Sequence, residues 1–192
     1  MEQLSFGPLL GGVWQVSYVV DDIEREMERW TRELGVGPFF YLPHFPIEEV
    51  VYRGNPSHAD IDVAVAFSGS TCFELIRQND RAPSIFRELI DSRGYGFHHW
   101  AVSTRAFDAE LERREKSGTV VASSGRVSIG ARTAFLDTNR SLGGMLEVAE
   151  VTPAMEEFFG MVHAASKTWD GSDPVRMLEP APIQARPTHP TV

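Results

Sequence analysis

Apolar and polar positions follow two periods along this chain, and the switch from one to the other recurs at a fixed interval. Residues 15–29 (QVSYVVDDIEREMER) and 99–113 (HWAVSTRAFDAELER) align without a gap at an offset of 84. Each segment opens with a β-branched and aromatic run that reads as a strand. Each then shifts to apolar residues at helical spacing: Ile23, Met27 and Trp30 in one copy, Phe107 and Leu111 in the other. Asp21–Asp22 and Thr104 supply helix starts, and Gly35 and Gly118 stand where C-caps belong. Short strands follow each helix, near 48–53, 61–67 and 71–77 and again near 119–122, 131–136 and 144–150. Gly54-Asn55-Pro56, Gly69, Ser123-Ser124-Gly125 and the stretch from Asn139 to Gly144 punctuate them.

The repeat sets the architecture, an α+β fold of two tandem βαβββ modules over about 12–80 and 96–150. A connecting helix is expected over 82–92 with Ser84 as its N-cap, and an amphipathic helix over 153–169. Residues 1–172 then make one domain. Residues 173–192 hold five prolines and little apolar content, and are expected to be largely disordered.

Side chains alternate across a strand, so each strand divides into two faces. Val16, Tyr18 and Val20 form the bulky set that packs under a helix, leaving Gln15, Ser17 and Val19 on the other face. His99, Ala101 and Ser103 share that face in the second copy. In the closing strands Phe73 and Leu75 oppose Glu74, and Leu146 and Val148 oppose Glu147. One polar residue from each of four apolar strands therefore faces a common concavity, among small or modest neighbours (Ser17, Cys72, Ala101, Ala149). Two carboxylates buried without a partner cost several kcal/mol each, which calls for a cation between them or a proton on one. His98 is expected to point away from His99.

Composition narrows the function. With 18 Lys and Arg against 27 Asp and Glu the formal charge is −9, the opposite of a phosphate-backbone binder, so no nucleic-acid partner is expected. The first twenty residues lack a basic signal region and no apolar run reaches the ~18 residues of a spanning helix, so no membrane association is expected. The single cysteine, Cys72, excludes an intrachain disulfide framework, and a cytoplasmic protein is the expectation.

The openings WQVSYVVDDIEREMERW…LGVGPFF and GFHHWAVSTRAFDAELERREKSG, with the closing LGGMLEVAE, resemble the vicinal oxygen chelate superfamily over about residues 12–150. The His98–His99 pair is most similar to the epimerase-like glyoxalase branch. The resemblance implies one divalent metal ion (Zn, Mn, Co, Ni or Mg) held by the first and last strand of each module, at Gln15, Glu74, His99 and Glu147. It implies a metal-dependent isomerase, epimerase or lyase that moves a proton beside a carbonyl of a small-molecule substrate, with Glu147 or Glu74 as the base. Ser17, Cys72, Ala101, Ser103 and Met145 are the expected substrate-contacting positions. Gln15 stands where the metal-dependent members usually carry His, which shifts preference toward oxygen-friendly ions and disfavours the 2-His-1-carboxylate chemistry of ring-cleaving dioxygenases.

Plainer readings stand beside these. His99 can be a core histidine, Glu74 can pair with Arg53 or Arg77, and Gln15 can hydrogen-bond a neighbouring strand. The alternative function is metal-free sequestration of a small molecule by the same fold. The apolar positions of 85–90 and 155–162 suit a two-fold contact, and a homodimer is expected.

Overall fold

The computed structural model describes residues 2–178. The strands that open the repeat, β1 (Val13–Val19) and β7 (Gly96–Thr104), pair antiparallel at the middle of one eleven-stranded sheet among these residues. The first module adds α1 (Ile23–Leu34), β2 (Phe39–Leu42), β5 (Ile61–Ser68) and β6 (Thr71–Gln78), with β3 (Ile47–Tyr52) and β4 (Asn55–Pro56) intervening. Then α2 (Ile85–Arg93) leads to the second module: β7, α3 (Phe107–Lys116), β8 (Val121–Val127), β9 (Arg132–Leu136), α4 (Asn139–Leu142) and β10 (Met145–Glu150). The chain closes with α5 (Pro153–Lys167) and β11 (Val175–Met177). The strand order is β11-β2-β5-β6-β1-β7-β10-β9-β8-β3-β4.

The repeat is visible in this order. In each module the last strand runs parallel to the first, β6 beside β1 and β10 beside β7. On the outer face α1 buries Ile23 and Met27 against Leu75 and Ala64, and Phe107 of α3 packs with Leu136, Leu146 and Val148. The caps are local chemistry: Asp22 and Ser84 accept from the amides of Arg25 and Arg87, and Gly35 ends α1 in the left-handed conformation. Thr104, three residues ahead of α3, instead accepts from the amide of Ala106.

The inner face carries the largest apolar cluster, in which Trp14, Phe67, Ala101 and Phe135 from the sheet meet Phe86 and Leu89 of α2 and Met155 and Val162 of α5. Most apolar positions of α2 and α5 are thus packed inside the chain, and Met161 is the large apolar side chain left exposed in the stretches 85–90 and 155–162 on which the expected two-fold contact was based.

Four local expectations need correction. Phe39–Leu42 is a strand, β2, whose four residues are all buried; a short run covered on both faces has no period to read. The strand expected near 48–53 leaves its own module and pairs with β8 at the far edge of the second. Ser123-Ser124-Gly125 is not a turn but lies inside β8, and the glycine is required because a Cβ there would lie 2.8 Å from Ile47 on the crossing β3. Finally, Val175–Met177 fall within the expected disordered tail yet pair parallel with β2, flanked by hydrogen bonds from Phe39 N to Pro174 O and from Leu178 N to Tyr41 O. The remainder of that tail, from residue 179, lies outside the described residues.

Candidate active site

Strand register brings the polar residues together. One row across the sheet reads Glu74, Ser17, His99, Met145, and the next reads Cys72, Gln15, Ala101, Glu147. Adjacent strands lie about 4.8 Å apart, so Glu74 and His99, and likewise Gln15 and Glu147, are separated by one intervening strand. The intervening residues are Ser17 and Ala101, small enough for the longer side chains to meet above them. His99 Nε2 lies 3.2 Å from Glu147 Oε2 and 3.5 Å from Glu74 Oε2.

Each carboxylate has a hydroxyl neighbour. Ser17 Oγ donates to Glu74, and Thr133 Oγ1 on β9 donates to Glu147. Thr133 was missed in the sequence, although a polar residue between Ala131 and Phe135 on the inward face of β9 was its signal. Burial pushes the Glu74 carboxyl up to about 7, with His99 pulling the other way, the Glu147 charge adding to the rise, and Ser17 and Gln15 opposing it. Neither arginine weighed as a partner for Glu74 takes that role: Arg53 engages Glu88 and Asp137, and Arg77 engages Asp62 and Glu24.

His98 departs from strict alternation. Ser17 pairs with His99 but Tyr18 pairs with Phe97, so His98 is the extra residue of a β-bulge. Phe97 and Trp100 consequently share the outer face, ring centroids 4.8 Å apart, while His98 turns inward beside His99 with their Nδ1 atoms 2.7 Å apart. His98 Nε2 lies 3.3 Å from the Ile85 carbonyl. Burial, then the adjacent His99, hold the His98 imidazole well below the usual histidine range, so it is neutral. A second bulge at Trp14 turns that indole inward as well.

Beside the polar cluster lies a cavity of about 270 Å³, at the small end for ligand pockets. Gln15, Glu74, Thr133 and Glu147 line its polar end; Trp14, Phe45, Met155, Phe158, Phe159 and Leu178 supply apolar wall. Arg132 also reaches it, but is tied to Glu150 and Asp108. The other expected contact positions sit deeper. Cys72 and Ala101 are fully buried, Ser17 is committed to Glu74, and Ser103 and Met145 are buried in the sheet. Burial raises the Cys72 thiol well above its ordinary value, which leaves it protonated.

The cluster suits a divalent cation in its chemistry. His99 Nε2 is buried without a hydrogen-bond partner among the described residues and lies within 3.5 Å of two carboxylate oxygens, one nitrogen donor among hard oxygen donors. Its geometry is unfinished: among the described residues no three His, Cys, Asp or Glu side chains already surround a single cation position.

Comparison with known proteins bears on the fold. A methylmalonyl-CoA epimerase from Mycobacterium tuberculosis is similar with a TM-score of 0.56 and 19% identity, over 78% of this chain and 93% of that one. A methylmalonyl-CoA epimerase in complex with methylmalonyl-CoA and NH4+ gives 0.54 and 18%, over 76% and 98%. A Streptomyces coelicolor methylmalonyl-CoA epimerase variant in complex with 2-nitronate-propionyl-CoA gives 0.53 and 19%, over 75% and 99%. At these identities the likeness is one of fold. A search of the curated proteins finds no match. No helix among the described residues is long and apolar enough to cross a membrane. The family model described as Glyoxalase/Bleomycin resistance protein/Dioxygenase superfamily matches residues 14–135, well over half the chain, and the chain belongs to that superfamily.

Proposed function

We propose that this protein is a divalent-metal-dependent isomerase or epimerase, with lyase chemistry open to the same site, that moves a proton beside a carbonyl of a small organic substrate. The observation that carries the reading is the convergence of two glutamates on one buried imidazole nitrogen with no hydrogen-bond partner among the described residues. Gln15, Glu74, His99 and Glu147 would hold the cation. When bound, it would supply positive charge to a developing enolate oxygen.

The remaining steps belong to the chain. Glu147 or Glu74 takes the proton from the carbon beside the carbonyl; that group returns it in an isomerase, and in an epimerase the other carboxyl delivers a proton to the opposite face. A carboxyl raised toward neutrality suits that exchange, and a bound cation would draw it back down. Ser17 and Thr133 fix the carboxylate rotamers, so each base is aimed before substrate arrives. The aromatic and aliphatic wall excludes water and favours a substrate with an apolar body, its oxygens turned to the polar end. This reading separates the pocket from the acyl-CoA ligands of the similar structures, since Arg132, the cation in its lining among the described residues, is already paired.

The test is solvent exchange. Metal-loaded protein in D₂O should exchange one carbon-bound proton of apolar α-hydroxycarbonyl or 1,3-dicarbonyl compounds, and Glu147→Gln or Glu74→Gln should lower the rate at least tenfold. Absence of exchange with every divalent ion across such a panel contradicts the reading.

The apolar wall supports a second reading, metal-free binding of an apolar small molecule. Its signature is ligand-induced quenching of Trp14 fluorescence that is unchanged in Glu147→Ala and in chelator-treated protein.

A further inference from the structure

We propose that His98 is a positioning residue: it fixes the proton of His99 on Nδ1 and so presents His99 Nε2 to the two glutamates as a bare lone pair. The inference rests on the reading that this atom faces a cation, and it adds the device that prepares it. The argument follows donors and acceptors along a short buried chain. The Ile85 carbonyl can only accept, so His98 Nε2, 3.3 Å away, carries a proton and donates. A neutral imidazole protonated there has an unprotonated Nδ1. That atom lies 2.7 Å from His99 Nδ1, and a contact so short between two ring nitrogens needs one proton between them. The proton belongs to His99, because His98 already holds its own on Nε2. In the neutral His99 imidazole, Nε2 is then left without one.

The opposite assignment fails at the Ile85 end, where it sets a bare His98 Nε2 against a carbonyl oxygen and leaves neither atom able to donate. With the proton on Nδ1, three lone-pair-bearing atoms converge instead, an arrangement that a cation among them or a proton on one carboxyl relieves. The bulge is what permits the arrangement. On a regular strand His98 would face away from His99, whereas the extra residue turns both rings inward, where Phe86 packs against His98 at 5.0 Å between centroids. A ligating histidine whose second nitrogen donates to a fixed neighbour is oriented and its tautomer set by that bond.

The experiment uses the full-length protein with ¹⁵N-labelled histidine, free of metal, and long-range ¹H–¹⁵N spectra assigned with a His99→Gln variant. Wild type should show His99 protonated on Nδ1 and His98 on Nε2. His98→Phe, which keeps a ring but removes the acceptor, should release His99 into a mixture of tautomers and weaken Mn²⁺ or Co²⁺ binding roughly 10–100-fold. His98→Asn, whose carbonyl oxygen can replace Nδ1 as acceptor, should restore most of both. A wild-type His99 protonated on Nε2, or a His98→Phe protein with unchanged tautomer and affinity, overturns the inference. If His98→Phe does not fold, the wild-type spectrum and the Asn variant still decide. The wild-type tautomers as stated, with no divalent ion bound by any variant, support the positioning role and contradict the cation reading.

Discussion

Ser17 and Glu74 stand in register on the parallel strands β1 and β6, and the serine hydroxyl donates to the carboxylate. That bond favours the charged form, so removing it has a defined sign. In Ser17→Ala the Glu74 carboxyl should titrate above its wild-type value of about 7. ¹³C-detected titration of metal-free protein measures it, and an unchanged or lower value would remove Ser17 from the site. An accompanying destabilisation of about 1–2 kcal/mol is expected by urea unfolding at pH 8.

Gln15 sets metal choice if it is a ligand. Gln15→His should tighten Zn²⁺ by replacing an amide oxygen with an imidazole nitrogen, and Gln15→Ala should weaken every divalent ion. Equal affinities in all three proteins, measured by competition with a chromophoric chelator, would show that Gln15 only lines the cavity.

Acid stability depends on a different carboxylate. Asp62 on β5 is almost fully buried, which disfavours its charge. The His44 amide, Asn79, Tyr41 and Arg77 outweigh that and hold it below the ordinary aspartate value. A depressed folded-state pKa contributes stability above the unfolded value, near 3.9, and that contribution is lost as pH falls through the folded value. Asp62→Asn should therefore cost about 1–3 kcal/mol at pH 7 and progressively less toward pH 3. A cost independent of pH contradicts the assignment.

The C-terminal strand closes the sheet edge and one side of the cavity. A chain ending after Asp173 loses β11 and Leu178, and one ending after Pro180 keeps both. The shorter form should melt lower, by roughly 2–10 °C for about 1–3 kcal/mol, and bind apolar ligands more weakly. Matching thermal midpoints and affinities in the two would make the strand a passive appendage.

Much of this architecture was legible because the repeat and the strand period are both statements about faces. Gln15, Glu74, His99 and Glu147 were placed on one face by alternation alone, and the register rows bring them together across Ser17 and Ala101. Alternation failed at His98, since a bulge is fixed by pairing with another strand and leaves no local signature. Phe39–Leu42 was hidden by burial on both faces. The path of β3 to the second module is a long-range pairing that Gly125 accommodates but does not announce. Thr133 escaped notice because a hydroxyl on a strand has many ordinary uses, and its role exists only next to Glu147.

The central claim is that His99 and the two glutamates form a cation site, and calorimetric titration of metal-free full-length protein with Mn²⁺ tests it most directly. The account predicts one saturable site per chain, lost in His99→Ala and in Glu147→Ala while the folded spectrum is kept. No saturable binding, or binding that survives the loss of His99, would contradict it.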